Sequence, residues 1–290
     1  MARLLFVHAH PDDETLATGV AIAHYVSRGH DVEVLTATLG EEGEVIPADV
    51  RHRTSDRDDT LGEFRAGELA GAMARLGARH TFLGDDGSGP RWRDSGMAGM
   101  PSADHPRAFA GADVAEAARL VAAYLRERRP DVVVTYDVDG GYGHPDHIQT
   151  RRVVQAAITG LAPAERPGRF FETLTPRSWV VADRLWLAKQ VPAASGLHVP
   201  TPDEAYAVSV VDDAVVSHVI VDEMAGKRMT WALAAHRTQV TLFDGYYSLS
   251  NNIAARLSGR ESFARLDPAT GERLPRTSDT WFEGLLVDLP

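Results

Sequence analysis

Across the first 160 residues, short runs of β-branched and leucine residues alternate with longer stretches of helical period, and few folds accommodate that rhythm. Residues 4–7 read as a buried strand. Residues 14–28 carry Leu16, Val20, Ile22, Ala23 and Val26 at helical spacing, and Gly29 suits the position just past a helix end. A strand at 31–37, a helix at 61–76 stopped by Gly77 and a short strand at 81–83 follow. A helix at 112–129 is ended by Pro130, since the residue before proline disfavours helix. A strand at 132–134 and a helix at 146–158 complete the series. Such alternation demands a parallel sheet with right-handed crossovers. The expected fold is α/β: a Rossmann-like, mostly parallel sheet with helices on both faces and a smaller C-terminal α+β elaboration.

Beyond residue 160 the pattern loosens. Residues 178–181 suggest a strand, 207–211 and 215–221 a hairpin turning at Asp212 and Asp213, and 222–235 a helix. There is no fixed-period repeat and no low-complexity linker. Residues 1–290 are therefore read as one domain, with 1–160 the core that holds the site and 161–290 the elaboration. Loops 38–60 and 84–111 are too long for plain connectors. Both follow strands, which puts them at the C-terminal edge of the sheet, where open α/β sheets bind ligands.

Two segments concentrate the chemistry: His10-Pro11-Asp12-Asp13-Glu14 and Gly143-His144-Pro145-Asp146-His147. Each joins a strand to a helix, so parallel strands bring both to one edge. The chain has no cysteine, so any metal here is held by imidazole and carboxylate, and disulfides are excluded. His10 and Asp13, three apart at a helix start, share a face and can chelate together. His147 is the expected third ligand. Three protein ligands leave one position open for water, the arrangement of a catalytic zinc site. Asp12 then lies beside the ion and can take a proton from that water, whose pKa zinc lowers from about 15.7 to about 7. Aspartate is also a good helix cap, but capping alone does not explain two such tripeptides at two strand-to-helix joints.

Further residues gather around this pair. Glycines on both sides of Tyr142 give it a mobile loop from which a phenol can polarise a carbonyl. His144 can steady the same charge or protonate a leaving amine, and Asp146 can orient a neighbouring imidazole. The loop segment 91–97, with Asp94, offers partners for sugar hydroxyls, and Arg65 can join it. His8 reads as a core histidine behind the site. His236, within the run His236-Arg237-Thr238-Gln239 at a helix end, is noted as a further candidate.

Acidic residues number 41 against 30 Lys and Arg, a formal net charge of −11. That balance lacks the clustered cations that nucleic acid and anionic lipid require. No stretch approaches the ~20 apolar residues of a membrane span, and the start of the chain has no signal-peptide core. A soluble, cytoplasmic protein is expected. Nothing in the sequence sets its oligomeric state.

The motifs resemble those of the LmbE-like zinc deacetylases, which carry HPDD near the N-terminus and HPDH later. The stretches LLFVHAHPDDE, TLGEEGEV, RWRDSGMAG, VVVTYDVDGGYGHPDH, AHRTQV and SLSNN are similar to the branch of that family that deacetylates N-acetylglucosaminyl inositol in mycothiol biosynthesis. The resemblance implies a Rossmann-like fold and a small amino-sugar inositol substrate whose acetamide is hydrolysed to acetate and a free amine. It implies zinc (Zn2+) on His10, Asp13 and His147, with Asp12 as base. Tyr142, His144 and Asp146 match residues that assist the tetrahedral intermediate, and Arg65, Asp94 and Glu44 match substrate contacts. The family's mycothiol-conjugate amidases have Pro where Gly143 stands and lack an RWRDSG segment, which favours the deacetylase branch. Fe2+ suits the same donors, and two His with one carboxylate is also the triad of non-haem iron oxygenases. Those triads sit in antiparallel barrels, whereas this chain alternates strand and helix. A phosphate-binding Rossmann module is disfavoured because the first turn is HAHPDDE rather than glycine-rich.

Overall fold

The computed structural model of the chain describes residues 1–87 and 89–287. Its first part runs β1 (Arg3–His8), α1 (Asp13–Ser27), β2 (Asp31–Thr36), α2 (Leu61–Leu76), β3 (Arg79–Phe82), α3 (Val114–Arg128) and β4 (Val132–Thr135). A distorted single turn, α4 (Gly140–Gly143), leads into α5 (Pro145–Thr159). Local chemistry sets these ends. Gly77, at φ 75, closes α2 with its N–H on the Met73 carbonyl. Asp113 caps α3 by accepting from the N–H groups of Ala115 and Glu116.

Strands β3-β2-β1-β4-β5 lie side by side in parallel, with β5 at Arg169–Pro176. This 3-2-1-4-5 order is Rossmann-like, and the chain changes direction between β1 and β4. Ligands of open α/β sheets bind at such a switch point, beyond the C-terminal strand ends. The pleat explains why the strands read as unbroken apolar runs. Leu4, Phe6, Val132 and Val134 pack on one face with Val20, Ile22, Leu69 and Met229 of the α1, α2 and α7 side. Leu5, Val7 and Val133 pack on the other with Val121, Leu125, Val153 and Ile158 of α3 and α5. Each fully buried side chain of this kind contributes about 1.5–3 kcal/mol.

The C-terminal part widens the same sheet. Its elements are α6 (Arg177–Gln190), β6 (Val210–Val211), β7 (His218–Val221), α7 (Glu223–Leu233), β8 (Thr241–Leu242), β9 (Tyr246–Ser248), β10 (Ala254–Arg256), β11 (Arg260–Leu266) and β12 (Phe282–Glu283). Strands β11, β7 and β12 continue outward from β5, while β8, β9 and β10 form a small separate sheet. Two sequence expectations are corrected here. Residues 178–181 are helical, because Val180 and Val181 belong to a longer helical stretch whose Leu187 packs on Tyr246 and Ala254. Residues 207–221 form no hairpin. Val210 pairs in parallel with Thr175, whereas β7 pairs with β11 and β12. Asp212 caps a helical turn there, accepting from the Ala214 N–H, and so cannot make the tight reversal a hairpin needs. Among the described residues, no helix is long and apolar enough to cross a membrane.

Candidate active site

The end of β1 delivers the first His-Pro-Asp turn. Asp12 adopts φ 110 and ψ −33, a conformation rarely taken by a residue with a side chain. Such geometry costs about 1–3 kcal/mol and persists only where neighbours hold it. They do: the Asp12 N–H donates to Glu14 Oε2 at 2.9 Å, and its carbonyl receives the Thr15 and Leu16 N–H groups as α1 begins. The Asp12 carboxylate accepts from Arg65 Nη2 at 3.2 Å, and Arg65 also donates to the carbonyls of Pro11 and Gly40. Gly40 is required, since any Cβ there would lie 2.1 Å from Arg65 Nη1.

The second turn follows β4. Asp137 accepts from the Gly141 N–H at 2.8 Å and the Gly141 carbonyl accepts from the Ser209 N–H, anchoring the glycine loop on two sides. Gly140 has φ 64, and a Cβ on it would meet Ile148 N and His147 Cβ at 2.7 Å, so only glycine lets this loop lie against α5. His144 caps α5 by accepting the Asp146 N–H on Nδ1. His147 faces the Gly140 carbonyl with Nδ1, at 3.1 Å. That bond fixes the proton on Nδ1 and leaves the Nε2 lone pair free.

The two turns meet in a tight triangle. His10 Nδ1 lies 3.2 Å from His147 Nε2 and 3.3 Å from Asp13 Oδ2, and His147 Nε2 lies 3.3 Å from Asp13 Oδ2. Ligands of a tetrahedral ion bonded at about 2.0–2.1 Å stand about 3.3 Å apart, so the three atoms fit one face of a zinc site. Two neighbouring trios, His10–His144–His147 and His10–Asp94–Asp146, also bring donor atoms within 4.8 Å of one another. The first triangle is favoured by the other nitrogen of His10. Its Nε2 faces Asp146 Oδ2 at 3.2 Å and Asp94 Oδ1 at 3.4 Å, and a proton shared with those carboxylates directs the Nδ1 lone pair toward Asp13 and His147.

Electrostatics divides the carboxyls into two kinds. Burial would raise Asp13, but His147 and His10 hold it well below the usual range. Burial would raise Asp94 too, and His10 beside it reverses the sign. In Asp12 burial wins: its carboxyl is pushed up to about 6 despite the pull of Arg65. A proton acceptor tuned toward neutral pH suits general base work. Burial, then the imidazoles of His10 and His147, lower His144 to about 3, so it stays neutral. With Nδ1 occupied as the helix cap, its Nε2 is the donor. Tyr142 keeps its hydroxyl protonated, because a phenol ordinarily ionises only near pH 10.

Most of the residues expected from the sequence converge. Tyr142 is 56% exposed and packs edge-on against His147 and His144. Arg65 and Asp94 are buried, and both are engaged by the protein. Asp94 receives the N–H groups of Gly96 and Glu42, while Arg65 Nε has no protein partner. Glu44 lies apart. It is exposed and lines a groove of about 570 Å³ with Arg51, Arg57, Ser250 and Asn252. His8 is a core histidine on Thr18, lowered to about 4 by burial. His236 does reach the site's edge, with Nε2 on Glu14 Oε1 at 2.9 Å.

Sequence reasoning missed Tyr136. Its hydroxyl donates to Asp13 Oδ2 at 2.7 Å and accepts the Ala9 N–H at 2.8 Å, and its ring stacks on His147 at 4.2 Å. Its place directly after the β4 apolar run, at the same sheet edge as both turns, was the only signal. Glu14 was quoted within the first motif but given no role.

Residues 5–158 match the family model described as GlcNAc-PI de-N-acetylase, PIG-L. A protein of Thermomonospora curvata named 1D-myo-inositol 2-acetamido-2-deoxy-alpha-D-glucopyranoside deacetylase is 45% identical, covering 99% of this chain and 97% of its own length. One of the same name from Streptomyces avermitilis is 44% identical, covering 98% and 97%. Among solved structures, the zinc-inhibited form of a teicoplanin deacetylase superposes with a TM-score of 0.54 at 20% identity, over 91% of this chain and 99% of that one. The N,N'-diacetylchitobiose deacetylase of Pyrococcus horikoshii gives 0.51 at 15% identity, over 82% and 70%. At such identities these two likenesses speak for the shared fold alone.

Proposed function

Because the chain belongs to the GlcNAc-PI de-N-acetylase (PIG-L) family, we propose that it hydrolyses the acetamide of N-acetylglucosaminyl inositol to glucosaminyl inositol and acetate, a step of mycothiol biosynthesis. The observation that carries this reading is the triangle of His10 Nδ1, Asp13 Oδ2 and His147 Nε2, with the high-pKa carboxyl of Asp12 on the adjoining residue. Zinc held by those three residues would polarise the acetamide carbonyl and acidify the attacking water, and Fe2+ suits the same donors.

The residues then have distinct tasks. Asp12 takes a proton from water as the water oxygen bonds to the carbonyl carbon. The Tyr142 hydroxyl and the Nε2–H of neutral His144 donate to the oxyanion that forms. When the C–N bond breaks, the proton held by Asp12 passes to the amine nitrogen. One water is consumed, and acetate and the amine are released. Asp146 keeps the His10 ring in orientation. Arg65 and Asp94, matched to substrate contacts by resemblance, take sugar hydroxyls, and Glu44 meets the inositol from the groove.

Amine release by metal-loaded protein tests this directly, with N-acetylglucosaminyl inositol and an S-conjugate of mycothiol as parallel substrates. Faster release from the acetyl sugar is expected. No release from it with either zinc or iron loaded overturns the reading.

A further inference from the structure

The run His236-Arg237-Thr238-Gln239 has no task in the reaction above, yet it is held at several points. The Thr238 N–H and hydroxyl both donate to Glu68 of α2, at 2.9 and 2.6 Å, and the Ile46 N–H donates to the Thr238 carbonyl at 3.0 Å. One short stretch thereby ties the end of α7 to α2 and to the loop 38–60. His236 is fully buried at its head and meets Glu14, also fully buried, across 222 positions of sequence. Glu14 uses its two oxygens differently. Oε1 takes His236 and the Thr15 hydroxyl, while Oε2 takes the Asp12 N–H at 2.9 Å.

We propose that His236 is a positioning residue that acts through Glu14 to hold Asp12 in its left-handed backbone conformation, aiming that carboxylate at the reacting water. The inference rests on the proposed function, in which Asp12 is the base. Its physical ground is the conformation itself. At φ 110 Asp12 relaxes unless both sides are fastened. Arg65 fastens the carboxylate and the preceding carbonyl, and Glu14 fastens the N–H. With His236 in place Glu14 cannot swing away. Loss of one partner of a buried pair leaves the other charge buried alone, so a variant that keeps a donor on Glu14 is needed to separate geometry from folding. A base misplaced by about 1 Å loses roughly 10²-fold in rate.

The test compares His236→Gln, whose amide N–H can stand where Nε2–H stood, with His236→Asn, which is too short to reach Glu14. Each is made in the wild-type and Asp12→Ala backgrounds. The Asn variant should lower kcat by roughly 10- to 100-fold with KM and zinc affinity unchanged, while Gln keeps most of the rate. Hydrogen exchange on metal-free protein should show the Asp12 amide opening faster in the Asn variant than in the Gln variant. In the Asp12→Ala background neither substitution should cost anything further. A kcat loss of equal size in that background, a loss shared equally by Gln and Asn, or unchanged kcat with Asn overturns the inference. Inactive Asp12→Ala beside fully active His236→Asn overturns the positioning alone. Fully active Asp12→Ala overturns the assignment of the base as well.

Discussion

The two His-Pro-Asp turns are near twins in sequence and unlike in how they are held. In the first, Asp12, Asp13 and Glu14 are all buried, and their side chains are fastened by Arg65, Tyr136, Thr15 and His236. The second divides in two. At its helical end His144, Asp146 and His147 are buried, while Tyr142 stands 56% exposed between glycines at φ 77 and φ 89. The contrast suits the division of labour proposed above. A base and a metal ligand need one fixed geometry, whereas the exposed Tyr142 side chain is free to turn toward the oxyanion from a loop whose backbone is held.

The largest effect is expected from Asp12→Ala. It should lower kcat by about 10²- to 10⁴-fold while zinc content stays normal. Loss of the metal instead would make Asp12 a ligand and erase the distinction drawn within the first turn. Tyr142→Phe should lower kcat by about 10²-fold with KM nearly unchanged and Tm unmoved, because the ring is half in solvent. A rise in KM with unchanged kcat would make the loop a binding element only.

The smallest effect concerns the helix behind the first turn. Glu261 of β11 reaches into the middle of α1 and accepts the N–H groups of Val20 and Ala21, at 2.7 and 2.9 Å. Burial pushes its carboxyl from 4.5 up to about 8, against the pull of those two donors. The folded protein thus keeps a proton that the unfolded chain has released, and stability falls as pH rises between those values. The slope approaches about 1.4 kcal/mol per pH unit. Glu261→Gln removes it, so the two Tm curves should diverge from pH 5 to pH 8. Parallel curves would show Glu261 ionised throughout.

The half of the fold that forms the site was legible because its signals are local. Valine and leucine runs buried on both faces mark β1, β2 and β4, and Gly77 or Pro130 marks where helices stop. The strands β5 and β11 escaped notice. Their inward residues Phe170, Phe171 and Phe263 sit among Arg169, Glu172, Glu261 and Arg265, and the pairing that makes them strands joins segments about ninety residues apart. The site follows the same rule. His10, Asp13 and His147 could be chosen from spacing at helix starts, but the hold of Tyr136, Glu14 and His236 on them depends on distant segments meeting. Glu44, taken from resemblance alone, is exposed and lines the groove with Arg51 and Arg57.

In the proposed site one divalent ion bridges the two turns. Crystals grown with zinc and measured at the zinc absorption edge test it most directly. A single anomalous peak about 2.0–2.1 Å from His10 Nδ1, Asp13 Oδ2 and His147 Nε2 is the predicted result. A peak between His10 Nε2, Asp94 and Asp146, or none within reach of both turns, would contradict it.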